Sequence, residues 1–114
     1  MNEVMKKDDY YAVRCLFSHP TRERIKNQNL YEERITIWEA QTWEEAYKMA
    51  ELEAKNYAKE ADAIFIEATD SFKLFDNKFN SGLEVWSTMR DSKVSNAEYI
   101  SNYINTGKER DHEI

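Results

Sequence analysis

The 114-residue chain contains one cysteine, one proline, two glycines and two histidines. A single thiol, Cys15, excludes an internal disulfide and with it a disulfide-stapled secreted scaffold. Gly82 and Gly107 cannot build a glycine-rich phosphate loop, so the P-loop and dinucleotide-binding fingerprints are excluded. Scarce proline and glycine also argue against long disordered or collagen-like stretches. No apolar run approaches the roughly 20 residues needed to cross a bilayer, and the opening MNEVMKKDDY lacks the apolar core of a signal peptide. A cytoplasmic location without membrane contact is the expectation. His19 precedes Pro20 in a polar stretch and His112 lies near the end of the chain, so with Cys15 they show no metal-ligand spacing. No cofactor or metal is expected, and Cys15 reads as a packed small apolar side chain.

The chain has ample material for a core: it is 41% hydrophobic, with seven Tyr, five Phe and three Trp. Its length suits one domain, expected over residues 1–107, followed by a charged, mobile tail over 108–114. The net charge of −6 argues against nonspecific nucleic-acid binding, whose affinity comes from Lys and Arg neutralising phosphates. The charge is uneven. Arg14, Arg22, Arg24 and Lys26 against Glu23 give residues 11–29 a net +3, whereas residues 42–62 carry −3.

Periodicity predicts the order β-β-α-β-β-α. Tyr10 to Phe17 suits a strand with Tyr11, Val13, Cys15 and Phe17 on one face. A polar loop spans Ser18 to Asn29, and a second strand runs from Tyr31 to Ala40. Thr42 with Glu45 matches a capping box. Ala46, Ala50, Ala54 and Ala58 then recur every four residues as the small-residue stripe of a long helix. Ala63 to Phe75 reads as a third strand, too long to be regular and expected to bulge near Thr69–Ser71. Leu83 to Thr88 reads as a fourth strand. Ser95 with Glu98 opens a short helix that should bury Tyr99, Ile100, Tyr103 and Ile104. The expected fold class is α+β, a four-stranded antiparallel sheet with the long helix on one face.

Placing Ile35, Ile37, Ile64, Ile66, Leu83 and Val85 against the long helix sends another set outward by alternation. That set includes Arg14, Arg34, Trp38, Glu67, Glu84 and Trp86, a mixture of aromatic and charged residues typical of interface anchors. Either the face binds a partner or ligand, or the C-terminal helix covers it and buries Trp38 and Trp86 in a second core. The basic loop offers Arg22, Arg24 and Lys26 as a possible anion contact, against the plainer reading of a solvated loop. For catalysis, a metal-dependent nuclease would need carboxylates converging from several strands, for which Glu67, Asp70 and Glu84 are the candidates. No catalytic residues are assigned.

Tyr11, Val13 and Arg14, the run Tyr31–Glu32–Glu33–Arg34, the helix start Glu44–Glu45–Ala46 and the run Gly82–Leu83–Glu84–Val85–Trp86–Ser87 together resemble a small bacterial family, domain of unknown function 4288. The resemblance covers roughly residues 10–90. It implies a bacterial or phage source and a compact α+β fold, and carries no activity or functional residue. The leading expectation is a non-enzymatic protein that binds a macromolecule through a sheet face or acidic surface. A toxin-neutralising immunity protein steered by its charge is the sharpest form. A small-molecule or nucleotide-binding domain of phage or defence origin is the alternative, with Trp38 and Trp86 stacking a ring and Arg14 or Arg34 holding an anion. A small hydrolase is the third reading. The expected partner is another protein or a small anionic ligand, with a homodimer possible.

Overall fold

The computed structural model describes residues 8–23 and 25–109. Strands β1 (Asp9–Ser18), β2 (Tyr31–Ala40) and β3 (Ile64–Lys73) form one antiparallel sheet in the order β2-β1-β3. Helix α1 (Trp43–Ala61) joins β2 to β3, and a C-terminal helix comprises α2 (Asn96–Tyr99) continued by a π-helical turn (Ile100–Ile104). The α+β class stands, but the sheet has three strands rather than the four expected.

Leu83 to Thr88 forms no ladder. Instead, Trp86 stacks on Phe72, with ring centroids 6.0 Å apart, and lies 5.5 Å from the Arg14 guanidinium carbon. A segment laid over a sheet face cannot also pair coplanar with the sheet edge. The alternation in this segment therefore reflects one tryptophan anchor rather than strand pairing.

The alanine stripe is placed as its spacing requires. Ala46, Ala50, Ala54 and Ala58 are buried against Tyr11, Val13, Cys15 and Phe17 of β1. Small side chains let the helix axis approach the sheet, and the remaining volume is filled from the flanks by Trp38, Tyr47, Tyr57 and Phe65. Thr42 caps α1 by accepting from the Glu45 amide at 3.2 Å. Glu45 returns its carboxylate to the amide of Gln41 rather than Thr42. Asp62 ends the helix in the left-handed region, and the Ala63 amide donates back to the Ala58 carbonyl. Thr42→Ala should cost about 1 kcal/mol, read as a lower urea midpoint; an unchanged midpoint would show that Glu45 alone holds the helix start.

The expected bulge in β3 is present. Pairing with β1 slips between Arg14 and Cys15 and again between Leu16 and Phe17, leaving Thr69 and Ile66 without opposite residues. Each slip restores the face of the next residues, so Phe65, Ala68 and Ser71 all share the helix side with Phe17, Cys15 and Val13.

Strand β2 departs most from expectation. The register sets Trp38, Thr36, Arg34 and Glu32 opposite Tyr11, Val13, Cys15 and Phe17, on the helix side. Ile35 and Ile37 point away from the helix. The reason is a set of polar pairs spanning the helix–sheet interface. Arg34 donates two hydrogen bonds to Glu53 of α1, at 2.5 and 3.1 Å, and lies 3.9 Å over the Tyr57 ring. The single proton of the Tyr57 hydroxyl is shared between the two Glu32 carboxylate oxygens, at 2.7 and 2.9 Å, and Glu32 also accepts from His19 Nε2 at 2.7 Å. Alternating polarity locates two faces but not which one meets a helix that itself carries Glu53 and Tyr57.

The C-terminal helix does not bury its apolar residues. Among the described residues it packs on no strand or helix other than its own two parts, and Ile100, Tyr103 and Ile104 are exposed. The second core over Trp38 and Trp86, one of the two alternatives for this face, is absent among the described residues. The expected tail at 108–114 lies outside the described residues beyond position 109, as does His112.

Candidate docking face

The side of the sheet opposite α1 is only partly covered. At one end, Tyr10 meets Phe79 with ring centroids 4.8 Å apart. Toward the middle, Trp86 lies over Phe72 and Arg14, and Ala12 beneath is fully buried. Outside this cover lie four isoleucines, Ile35 and Ile37 on β2 and Ile64 and Ile66 on β3, which are 41% to 55% exposed. Exposed isoleucine on two strands of one sheet is unusual for a face in permanent contact with water.

The charge on this face comes from the same alternation. Arg14 stands against Glu33, Glu39, Glu67 and Asp70, a net −3. Arg14 is tied to two of them: Nε and Nη2 donate to the two Asp70 carboxylate oxygens at 3.0 and 2.9 Å, and Nη1 reaches Glu33 at 3.3 Å. Nε also reaches the Thr69 hydroxyl at 3.2 Å. The bulge at Thr69 brings that hydroxyl into the network, so Arg14 organises the carboxylates rather than offering a free cation.

The residues singled out in sequence therefore separate. Arg14 and Glu67 lie on the open face, with Trp86 stacked over it from the C-terminal segment. Arg34 and Trp38 lie on the opposite, helix-covered side, where Arg34 is spent on Glu53 and Trp38 donates from Nε1 to the Thr36 hydroxyl at 2.7 Å. Glu84 is exposed in the unpaired segment. Trp38 and Trp86 are thus on opposite sides of the sheet and cannot clamp one ring between them. Arg22 and Lys26 are exposed in the β1–β2 loop, and Arg24 lies outside the described residues. Glu67, Asp70 and Glu84 belong to no metal-holding cluster among the described residues.

Two features escaped sequence reasoning. The first is the set Ile35, Ile37, Ile64 and Ile66, which was assigned to the core. The second is a cavity of about 500 Å³ between the start of α1 and β3, lined by Tyr11, Trp43, Tyr47, Asp70, Ser71 and Lys73. Its sequence signal was available: Trp43 and Tyr47 are four residues apart and stack edge to face at 5.7 Å. Neither Trp38 nor Trp86 lines it.

His19, exposed in sequence terms by its loop, is 2% exposed in the fold. Its amide donates to the Leu30 carbonyl at 2.9 Å and closes the loop, while Nδ1 is buried without a hydrogen-bond partner among the described residues. Burial pushes the Glu32 carboxyl up, but hydrogen bonds from His19 and Tyr57, and the charges of His19 and Arg34, outweigh it and hold the group below the ordinary carboxylate range. Burial, with Glu53 nearby, pushes the Cys15 thiol up to about 11, so at neutral pH it is a protonated packing group rather than a nucleophile. No helix is long and apolar enough to cross a membrane among the described residues. No family model matches this chain, and no curated protein or solved structure does either.

Proposed function

We propose that this is a non-enzymatic binding domain that docks a basic protein on the open face of its sheet, acting in the cytoplasm. The observation that carries the reading is the combination of four exposed isoleucines with a net −3 on one sheet face. Apolar residues supply the desolvated centre of an interface, and the carboxylates around them steer a cationic partner and set its orientation. A toxin-neutralising immunity protein is the specific form that this chemistry fits best, its partner being a basic toxin domain of bacterial or phage origin. The cytoplasmic assignment rests on Cys15, an unpaired and buried thiol.

The test is titration of the wild-type chain and an Ile37→Asp variant against the product of a neighbouring toxin gene. Ile37 is half exposed, so its substitution should leave the fold intact while weakening binding at least tenfold. Wild-type affinity should also fall steeply with salt. Equal affinity for the two chains would move the interface elsewhere. A small-molecule or nucleotide-binding role is the second reading, and the aromatic cavity at Trp43 and Tyr47 supports it; quenching of Trp43 fluorescence by a nucleotide, lost in Tyr47→Ala, would favour it.

A further inference from the structure

We infer that, when no partner is bound, the open sheet face of one chain is covered by the C-terminal helix of a second copy, in a reciprocal two-fold dimer. The inference names what occupies the docking face proposed above and rests on that face being a docking surface.

Two apolar surfaces lack partners among the described residues. One is the Ile35, Ile37, Ile64 and Ile66 face, and the other is the helix bearing Ile100, Tyr103 and Ile104. Among the described residues the helix touches no other helix or strand, yet it is held together internally. Ser95 accepts from the Glu98 amide at 3.3 Å. Arg90 donates to the Tyr99 hydroxyl at 2.7 Å and lies 4.4 Å over the Tyr103 ring. In the π-helical turn the Asn105 amide donates to the Ile100 carbonyl at 2.7 Å, placing Ile100 and Ile104 one turn apart. A preorganised arm loses little conformational freedom on docking.

The arm stands away from its own sheet. The radius of gyration is 17.5 Å, against about 13 Å for a compact chain of this length. Arg90, bonded to Tyr99 and lying over Tyr103, stiffens the arm itself, so the arm can meet the sheet of a second copy without internal rearrangement.

Charge decides between the ways two copies could meet. Two open faces packed on each other would juxtapose two sets of carboxylates, each net −3. The arm over residues 89–109 carries Arg90, Lys93 and Lys108 against Asp91, Glu98 and Glu109, and is neutral. Arm on face avoids that repulsion. Exchanged reciprocally it covers both apolar surfaces on both chains, the closed arrangement expected of a two-fold dimer.

The experiment is light scattering coupled to size exclusion on the full chain alone, at ~100 µM, where a dimer of micromolar affinity is largely formed. The wild type should show twice its 13.6 kDa mass. The double variants Ile35→Asp/Ile37→Asp and Ile100→Asp/Ile104→Asp should each run as monomers. The arm variant cannot unfold the domain, because the arm supports no other element, and an unchanged melting temperature confirms this. A monomeric wild type, or a dimer that survives the arm variant, overturns the inference. Neither result touches the partner titration, which is measured separately against the basic protein.

Discussion

Phe17→Ala should lower the stability of this domain by about 3–5 kcal/mol. Phe17 is fully buried at the point where the helix, β1 and β3 converge. Its ring meets Tyr57 edge to face at 5.0 Å and Phe65 at 5.5 Å. The facing helix stripe is alanine, whose side chains cannot extend into a vacated space, so the cavity would stay open and its cost would be near the upper part of that range. Natural domains keep only about 5–15 kcal/mol in total, so the variant should be close to unfolding at 37 °C. Urea denaturation followed by circular dichroism measures the loss. A fall of less than about 1 kcal/mol would mean that the ring is not enclosed between helix and sheet.

Glu32→Ala should cost about 2–4 kcal/mol, because it removes the acceptor shared by His19 and Tyr57 and leaves two enclosed donors unsatisfied. Tyr57→Phe deletes one donor along with its bond and leaves His19 paired, so its cost should be nearer 1 kcal/mol. The ordering of these two variants distinguishes a shared acceptor from two independent contacts. The same carboxylate makes the domain acid-sensitive. Its folded value lies below the ordinary one, so between the two the unfolded chain binds more protons and stability rises with pH. The contribution is complete above the usual glutamate value of about 4.3 and is lost as pH falls through the lower folded value. In Glu32→Gln the slope of stability against pH in that window should flatten. A slope identical to wild type would assign the acid sensitivity to other carboxylates.

Local chemistry was legible in the sequence where one element decides it. The Thr42 cap, the alanine stripe, the bulge at Thr69 and the Ser95 cap all follow from backbone hydrogen bonding and side-chain size within a few residues. The core face of β1 was legible too, because Tyr11, Val13, Cys15 and Phe17 carry no charge, whereas the opposite face carries Arg14 and Ser18. Of the candidate site, Arg14, Glu67 and Trp86 were placed near the open face, though Trp86 reaches it from an unpaired segment and not from a strand.

Strand β2 shows where residue patterns run out. YEERITIWEA alternates cleanly, and hydrophobic burial alone would turn Ile35 and Ile37 toward the helix. Instead Glu32 and Arg34 face it, since Tyr57 and Glu53 on α1 and His19 from the loop convert two charged residues into satisfied interface groups. Those partners lie 13 to 25 residues away in the chain. Residue patterns alone are enough for the α+β composition, the helix with its caps and small-residue stripe, and the acidic balance. Long-range packing settles which side of β2 is the core, that LEVWST crosses a face instead of joining an edge, and that the C-terminal helix stands apart. Each of these turns on a pairing between distant residues, and a one-dimensional pattern records the polarity of a side chain but not the partner that makes its burial tolerable.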